Sequence, residues 1–240
     1  MIEHLVVVAA PSGGGKTTLT LALRAGRLPE VAGRLGMIGT GDWLNVTRYS
    51  LGQADLPPLA GRVLFECNLD AAWRQQRKRG RDEASCHLLD QARQVSFITL
   101  WTPPARLSRR RLRRGARAAL RSHDWLGALR LLATSILLGG LPPGASARGA
   151  DRVLRRVTDR DSPRTPGGKH LRLLLKPHAR PESFACMYRW WLVFSDGYRE
   201  RTLHHLIVEY DRRVRFLSRG ELVTAIGVKP GEDPGCGGPA

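Results

Sequence analysis

The sequence predicts an α/β protein in which a mainly parallel β-sheet lies between layers of helices, as a three-layer sandwich. Two observations predict this fold: apolar runs of strand length recur along the chain with helical segments between them, and the first run leads directly into a glycine-rich turn and a helix. That first run, residues 5–10, carries no charge, which suits a strand buried on both faces of a parallel sheet. At 240 residues the chain is long enough for one substantial core.

The turn after the first strand has the composition of a phosphate-binding loop. Residues 10–17 (APSGGGKT) match the pattern G-x-x-x-x-G-K-[ST] except at the first position, where Ala10 replaces glycine. Backbone N–H groups in such a loop, with the positive end of the following helix dipole, bind phosphate oxygens. Lys16 would reach the β- and γ-phosphates, and the hydroxyl of Thr17 would ligate Mg²⁺. The predicted nucleotide-binding residues are Ser12, Gly13, Gly14, Gly15, Lys16, Thr17 and Thr18. The alternative is a plain glycine-rich turn with a solvated lysine.

Acidic residues near strand ends are candidate partners of this loop. Glu66 ends the second clear apolar run and is the predicted acid on the Mg²⁺ side, as a metal ligand together with Thr17. Asp42 follows a short apolar and glycine-rich segment, and at the carboxyl end of a strand it would project toward the loop as a third catalytic residue beside Lys16 and Glu66. An Asx turn is the alternative for Asp42. Asp70 lies beyond the Glu66 strand, where it would serve a substrate, contact the metal or cap the next helix.

The net charge predicts anionic partners. The formal charge is +18, and 34 of the 39 basic residues are arginine. Arginine favours bidentate contacts with phosphate and carboxylate, so nucleotides, phosphorylated substrates, nucleic acid or an acidic membrane surface are the expected classes. A general drift of composition toward arginine is the alternative, and net charge does not distinguish the two.

An arginine-rich helix follows the third predicted strand, residues 94–101. Helical spacing places five arginines on one broad face. They are Arg106, Arg110, Arg113, Arg114 and Arg117. This face would close over phosphates as a lid, lie on a nucleic-acid backbone or form a solvated surface.

The C-terminal region is predicted as an elaboration of the same domain. We assign residues 1–228 to one domain, with 150–228 as the elaboration and the Pro/Gly-rich residues 229–240 as a disordered tail. Predicted strands lie at 171–176, 188–195 and 203–210, with a hairpin turn at 195–197. His204 and His205 are neighbours on the last strand and would point to opposite faces, which favours a buried histidine over a metal site.

Cysteine usage and the N-terminus predict a cytoplasmic protein. The cysteines are far apart and form no C-x-x-C pair, so reduced thiols are expected. They are Cys67, Cys86, Cys186 and Cys236. The first residues carry no positively charged n-region, unlike a signal peptide. The apolar stretch 126–141 contains Arg130 and is short for a membrane span, so we predict a buried helix and no transmembrane segment.

With the loop and the Glu66 strand in place, roughly the first 120 residues, the N-terminal half, resemble P-loop NTPases of the kinase type, the group that contains guanylate kinase and adenylylsulfate kinase. The segment APSGGGKTTL is similar to the guanylate-kinase loop, and FITLWTPP with its arginine-rich helix is similar to that enzyme's strand, proline pair and lid entry. The resemblance implies a five-stranded parallel sheet, ATP with Mg²⁺, and phosphoryl transfer. The residues by which guanylate kinase holds GMP are not recognisable, and no N/T-K-x-D or LSGGQ-type motif occurs.

Three functions follow as expectations. The first is an ATP-dependent phosphotransferase, or kinase, acting on a small anionic or sugar-like acceptor, with Asp42 orienting the acceptor and lid arginines neutralising the transition state. The second, less favoured, is a nucleic-acid-binding ATPase, which predicts salt-sensitive binding. The third is a nucleotide-binding regulator of polysaccharide or envelope assembly, which predicts binding without turnover.

Overall fold

The computed structural model describes residues 1–37, 42–47, 50–52, 59–121, 123, 125–129, 132–133, 181–211 and 213–227. The chain divides into two compact units, Met1–Trp101 with Met187–Ala240, and Thr102–Cys186. The first unit contains the β-sheet and the glycine-rich loop, and the boundary near Met187 falls inside a helix.

Within the described residues, the strands are β1 (Ile2–Ala10), β2 (Leu44–Thr47), β3 (Gly61–Asn68), β4 (Ala92–Trp101), β5 (Thr202–Tyr210) and β6 (Val214–Leu217). The labelled helices are α1 (Lys16–Arg24), α2 (Pro29–Arg34), α3 (Leu69–Arg79), α4 (Glu83–Gln91), α5 (Pro104–Arg121), α6 (Pro181–Asp196) and α7 (Arg219–Ala225). Short 3-10 helices occupy Ser50–Gly52 and Arg199–Arg201.

The six strands form one sheet in the order β2-β3-β1-β4-β5-β6. The first five pair in parallel, and β6 runs antiparallel to β5 at the edge. The chain is therefore α/β with a mostly parallel sheet. The resemblance stated above implied five parallel strands, and the described sheet has these five with one antiparallel strand added at the edge.

Helices cover both faces of this sheet because the central strands are apolar on both sides. Val6, Val8 and Ala10 of β1 are fully buried in a cluster that includes α1 and α2. Successive residues of a strand point to opposite faces, so the intervening positions face the other way. On that second face, Phe97 of β4 packs against Trp191 of α6, with ring centroids 5.7 Å apart.

The predicted strand at 188–195 is wrong, because these residues belong to α6. The aromatic and β-branched composition suggested a strand, but the buried side chains follow a helical spacing. They are Tyr188, Trp191, Leu192 and Ser195. The predicted hairpin at 195–197 is also wrong: the observed hairpin joins β5 to β6, where Tyr210 pairs with Val214. The predicted strand at 203–210 is confirmed as β5.

The remaining predictions for the C-terminal half have mixed outcomes. The predicted strand at 171–176 and the tail at 229–240 lie outside the described residues. From the predicted elaboration at 150–228, β5 and β6 complete the sheet itself. Cys67 and Cys86 are buried thiols, whereas Cys186 is disulfide-bonded, which differs from the expectation of reduced thiols.

The second unit contains α5, helical residues 125–129 and 132–133, and the first residues of α6. The expectation of a buried helix beyond residue 125 is wrong for Leu126 and Leu129, which are 73% and 63% exposed. Within the described ranges, no helix combines the length and apolar character needed to cross a membrane.

Candidate functional site

The glycine-rich loop, residues 10–17, has a backbone that depends on its glycines. Gly13 and Gly15 have φ values of 82° and 96°, in the left-handed region that other residues rarely adopt. Gly14 N donates to the carbonyl oxygen of Pro11 at 2.9 Å, and a Cβ on Gly14 would lie 2.8 Å from the Cβ of Ala10. The loop therefore folds back tightly on the end of β1 before α1 begins at Lys16.

The ammonium of Lys16 lies against the loop itself. Its Nζ donates to the carbonyl oxygen of Ala10 at 2.8 Å and to that of Pro11 at 3.2 Å. Both acceptors belong to residues 10–12, the first limb of the loop. Lys16 and Thr17 form its second limb, where α1 begins. The side chain thus spans the loop and places a positive charge within it.

The second limb is joined to the neighbouring strand through Thr17. Thr17 Oγ1 donates to Glu66 Oε2 at 2.8 Å, and Glu66 is only 7% exposed. The parallel register of β1 and β3 places Glu66 opposite Val8, two residues before the loop begins. A hydroxyl and a carboxylate oxygen are hard donors of the kind Mg²⁺ prefers. The pair therefore fits a magnesium ion that would take its other ligands from water and phosphate.

The first limb is joined to the start of α3 through Asp70. Ser12 N donates to Asp70 Oδ2 at 2.6 Å, and Asp70 is 6% exposed. Asn68 caps α3 by accepting from Asp70 N at 3.1 Å. Sequence reasoning placed Asp70 beside a substrate, on the metal or in a cap, and it missed this bond to the loop because no local pattern links two residues so far apart in the chain.

These residues gather where the sheet topology opens a crevice. In the sheet, β1 and β3 are neighbours. The connection that leaves β1 runs past β3 to β2, and the connection that leaves β3 runs the opposite way, past β1 to β4. Connections that leave adjacent parallel strands in opposite directions form a cleft at the carboxyl ends of those strands, where α/β proteins bind ligands. The loop follows β1, and Glu66 and Asp70 lie at the end of β3 and the start of α3.

The placement of Asp42 beside the loop is wrong. Asp42 is exposed and lies just before β2, which starts at Leu44. Since β2 runs parallel to β3, Asp42 sits at the amino edge of the sheet, and the loop sits at the carboxyl edge. The sequence suggested a strand ending at Asp42, but the strand begins after it. Thr18 is exposed at the start of α1, next to Thr17.

Two hydroxyl residues at the carboxyl end of β2 were not identified from the sequence. Thr47 is the register partner of Glu66, and Thr47 N donates to Ser50 Oγ at 2.8 Å. Ser50 Oγ also donates to the carbonyl oxygen of Thr47 at 2.8 Å. A threonine and a serine three positions apart, at and just after the end of β2, were the available signal.

The arginine-rich face of α5 belongs to the second unit. Leu107, Leu112 and Ala116 are buried, as is Arg111 at 1% exposure. The exposed basic residues of this helix include Arg113, Arg114 and Arg117, whereas Arg106 and Arg110 are half-buried. The helix therefore presents part of the predicted basic face to solvent.

The histidine pair on β5 divides between solvent and a hydrogen-bond network. His204 is exposed, whereas His205 Nε2 lies 3.0 Å from Thr99 Oγ1, which also accepts from Trp191 Nε1 at 2.9 Å. Burial lowers the pKa of His205, so the folded protein favours its neutral form. In the part of the chain that the structure describes, no group of three or more His, Cys, Asp or Glu residues could hold a metal.

Comparisons of this chain with protein-family models, with curated proteins and with solved structures found no match. A functional assignment therefore rests on the geometry of the site.

Proposed function

We propose that this chain is a P-loop protein of three-layer architecture that binds ATP with Mg²⁺ and transfers its terminal phosphoryl group to a small or sugar-like acceptor. The observation that carries the proposal is the hydrogen bond between Thr17 and Glu66 directly beside Lys16. A loop lysine, a hydroxyl at the helix start and an acid on the adjacent strand are the three parts that manage a triphosphate and its metal in enzymes of this class.

Each residue has a distinct part in this proposal. The loop N–H groups and the α1 dipole would bind the phosphates, and the ammonium of Lys16 would stabilise charge on the transferring group. Thr17 and Glu66 would hold Mg²⁺, which neutralises phosphate charge when bound. Because Glu66 is 7% exposed, its interaction with a cation is screened less than that of a solvated carboxylate.

The acceptor class is supported by the end of β2. Thr47 and Ser50 place hydroxyl and backbone groups next to the position of Glu66 in the sheet. Such groups hydrogen-bond to the hydroxyls of a sugar-like acceptor and carry no charge of their own. We therefore assign acceptor orientation to this strand end and no longer to Asp42.

Turnover tests the proposal through a matched pair of lysine variants. We expect Lys16→Ala to lose at least about 100-fold in ATP consumption or phosphoryl transfer, since removing one transition-state charge contact costs on the order of 3 kcal/mol. Lys78→Ala removes the same charge from an exposed position on α3 and should keep parent activity. Equal activity of parent and Lys16→Ala would contradict the proposal, and nucleotide binding without any turnover would favour a regulator.

A nucleic-acid-binding ATPase is a second candidate, and the exposed arginines of α5 favour it. Arg113, Arg114 and Arg117 would contact phosphates without reading sequence. This candidate predicts that single-stranded or duplex nucleic acid stimulates ATP hydrolysis and that binding weakens steeply with salt. Binding that is unaffected by salt would rule it out.

A further inference from the structure

The end of β3 and the start of α3 are joined to the glycine-rich loop at two separate points. Glu66 accepts from the side chain of Thr17 on the second limb, and Asp70 accepts from the backbone of Ser12 on the first limb. The first contact concerns a predicted metal ligand. The second uses a backbone N–H and leaves the Ser12 side chain out of the bond.

The bond from Ser12 to Asp70 has the features of a strong hydrogen bond. Its length is 2.6 Å, its acceptor is a carboxylate, and Asp70 is 6% exposed. Bonds to ionised acceptors are shorter and roughly twice as strong as neutral ones. The carboxylate also lies in the first turn of α3, where the helix dipole favours negative charge.

The position of Asp70 is itself fixed by neighbours. Asn68 Oδ1 accepts from Asp70 N at 3.1 Å, and Arg74 Nε donates to the carbonyl oxygen of Asp70 at 3.0 Å. The carboxylate is therefore presented from a capped helix end. A loop that contains three consecutive glycines has high backbone entropy, and holding it in one conformation requires such external contacts.

We propose that Asp70 is a positioning residue that presets the glycine-rich loop in its ligand-ready conformation by holding the Ser12 N–H. With Thr17 held by Glu66, both limbs are fixed to the same strand-to-helix junction before any ligand arrives. This inference rests on the proposed function, because the conformation that Asp70 maintains is the one assigned to triphosphate binding. The ordering cost that this bond removes would otherwise weaken binding.

Amide hydrogen exchange in the protein without nucleotide tests the positioning role by itself. We expect Asp70→Ala to raise exchange of the loop amides about tenfold, the factor that corresponds to losing one charged hydrogen bond. Asp70→Asn should raise exchange only about threefold, since the amide oxygen of Asn can still accept from Ser12 but a neutral acceptor bonds about half as strongly as a carboxylate. Asn68→Ala is the control: it removes the α3 cap that helps to position Asp70 but keeps the carboxylate, so loop exchange should rise less than in Asp70→Ala. Unchanged loop exchange in Asp70→Ala, or equal rises in both alanine variants, would overturn the proposal.

Binding of Mg²⁺-ATP supplies the second readout. In Asp70→Ala we expect a Kd about tenfold above that of the parent with little change in kcat, and in Asp70→Asn a Kd about threefold above it. A Kd that falls in Asp70→Ala would mean that the carboxylate competes with phosphate, which contradicts positioning. If the parent binds no nucleotide while the exchange result holds, the proposed function fails and the loop contact stands. Should Asp70→Ala not fold, Asp70→Asn decides: positioning by the carboxylate requires a rise of about threefold in loop exchange, and exchange equal to that of the parent would overturn the proposal.

Discussion

The hydrogen bond between Thr17 and Glu66 leads to a prediction about stability without any ligand. Replacing Thr17 by valine keeps the shape of the side chain and removes the hydroxyl that donates to Glu66 Oε2 at 2.8 Å. Hydrogen bonds to charged groups contribute about 1.5–3 kcal/mol. Because Thr17 is itself exposed and water can replace part of the bond, we expect the lower end, about 1.5 kcal/mol of unfolding free energy.

A double-mutant cycle isolates this bond from other effects of the substitutions. The cycle compares the parent, Thr17→Val, Glu66→Leu, which has no acceptor for the Thr17 hydroxyl, and the double variant by urea unfolding, followed through the fluorescence of the six tryptophans. We expect a coupling energy of about 1 kcal/mol, and Thr17→Ser, which retains the hydroxyl, should unfold near the parent midpoint. A coupling energy below about 0.3 kcal/mol, within the error of additivity, would refute the assigned bond.

Three further predictions concern the framework around the site. Thr99→Val leaves the buried N–H of Trp191 without its acceptor and should cost about 1–3 kcal/mol, measured by urea unfolding. Because burial lowers the pKa of His205, its neutral form stabilises the fold above the unfolded pKa of about 6.5, and this contribution is lost as pH falls through the lower folded pKa. Urea midpoints at acidic and neutral pH should therefore differ less in His205→Gln than in the parent. Ser218→Ala removes the capping box with Glu221 and should lower stability by about 1 kcal/mol, measured by thermal unfolding. A parent-like midpoint in Thr99→Val or Ser218→Ala, or a pH response in His205→Gln equal to that of the parent, would contradict these assignments.

The parallel core of the fold could be predicted because its signals are local. The runs that became β1, β3 and β4 are apolar, of strand length and bounded by turns, and Glu66 stands at the end of one of them. Thr17 and Glu66 were predicted to lie close together because parallel strands end at the same edge of a sheet. The observed register of β1 with β3 brings them together.

The wrong predictions arose where two local sequence signals competed, or where a contact joins residues that are far apart in the sequence. In α6, the pair Trp190–Trp191 favoured a strand by composition, whereas the burial of Tyr188, Trp191 and Ser195 follows the helical period. Tertiary packing on β4 decided between the two. Asp42 was misplaced because an acid after glycines marks either the end of one strand or the start of the next.

The contact between Ser12 and Asp70 had no sequence signal, since it depends on the loop folding back toward the start of α3. The hydroxyl residues at the end of β2 were missed for a similar reason. They become candidates only because β2 pairs with β3, which places Thr47 opposite Glu66. Composition and spacing thus predicted the loop to which the proposal assigns phosphate binding, while the residues that contact this loop could be found only from the three-dimensional arrangement.

The central claim is that the loop at residues 10–17 binds the phosphates of a nucleotide, and thermal unfolding with added ligands tests it most directly. With ATP and Mg²⁺ at about 100 times Kd, mass action raises the unfolding free energy by about 2.7 kcal/mol, which for a protein of this size raises Tm by roughly 5–10 °C. We expect this shift in the parent and in Lys78→Ala, a much smaller shift in Lys16→Ala, and none with adenosine, which lacks phosphates. A parent Tm that does not respond to ATP with Mg²⁺ at millimolar concentration, or an equal shift with adenosine, would contradict the account.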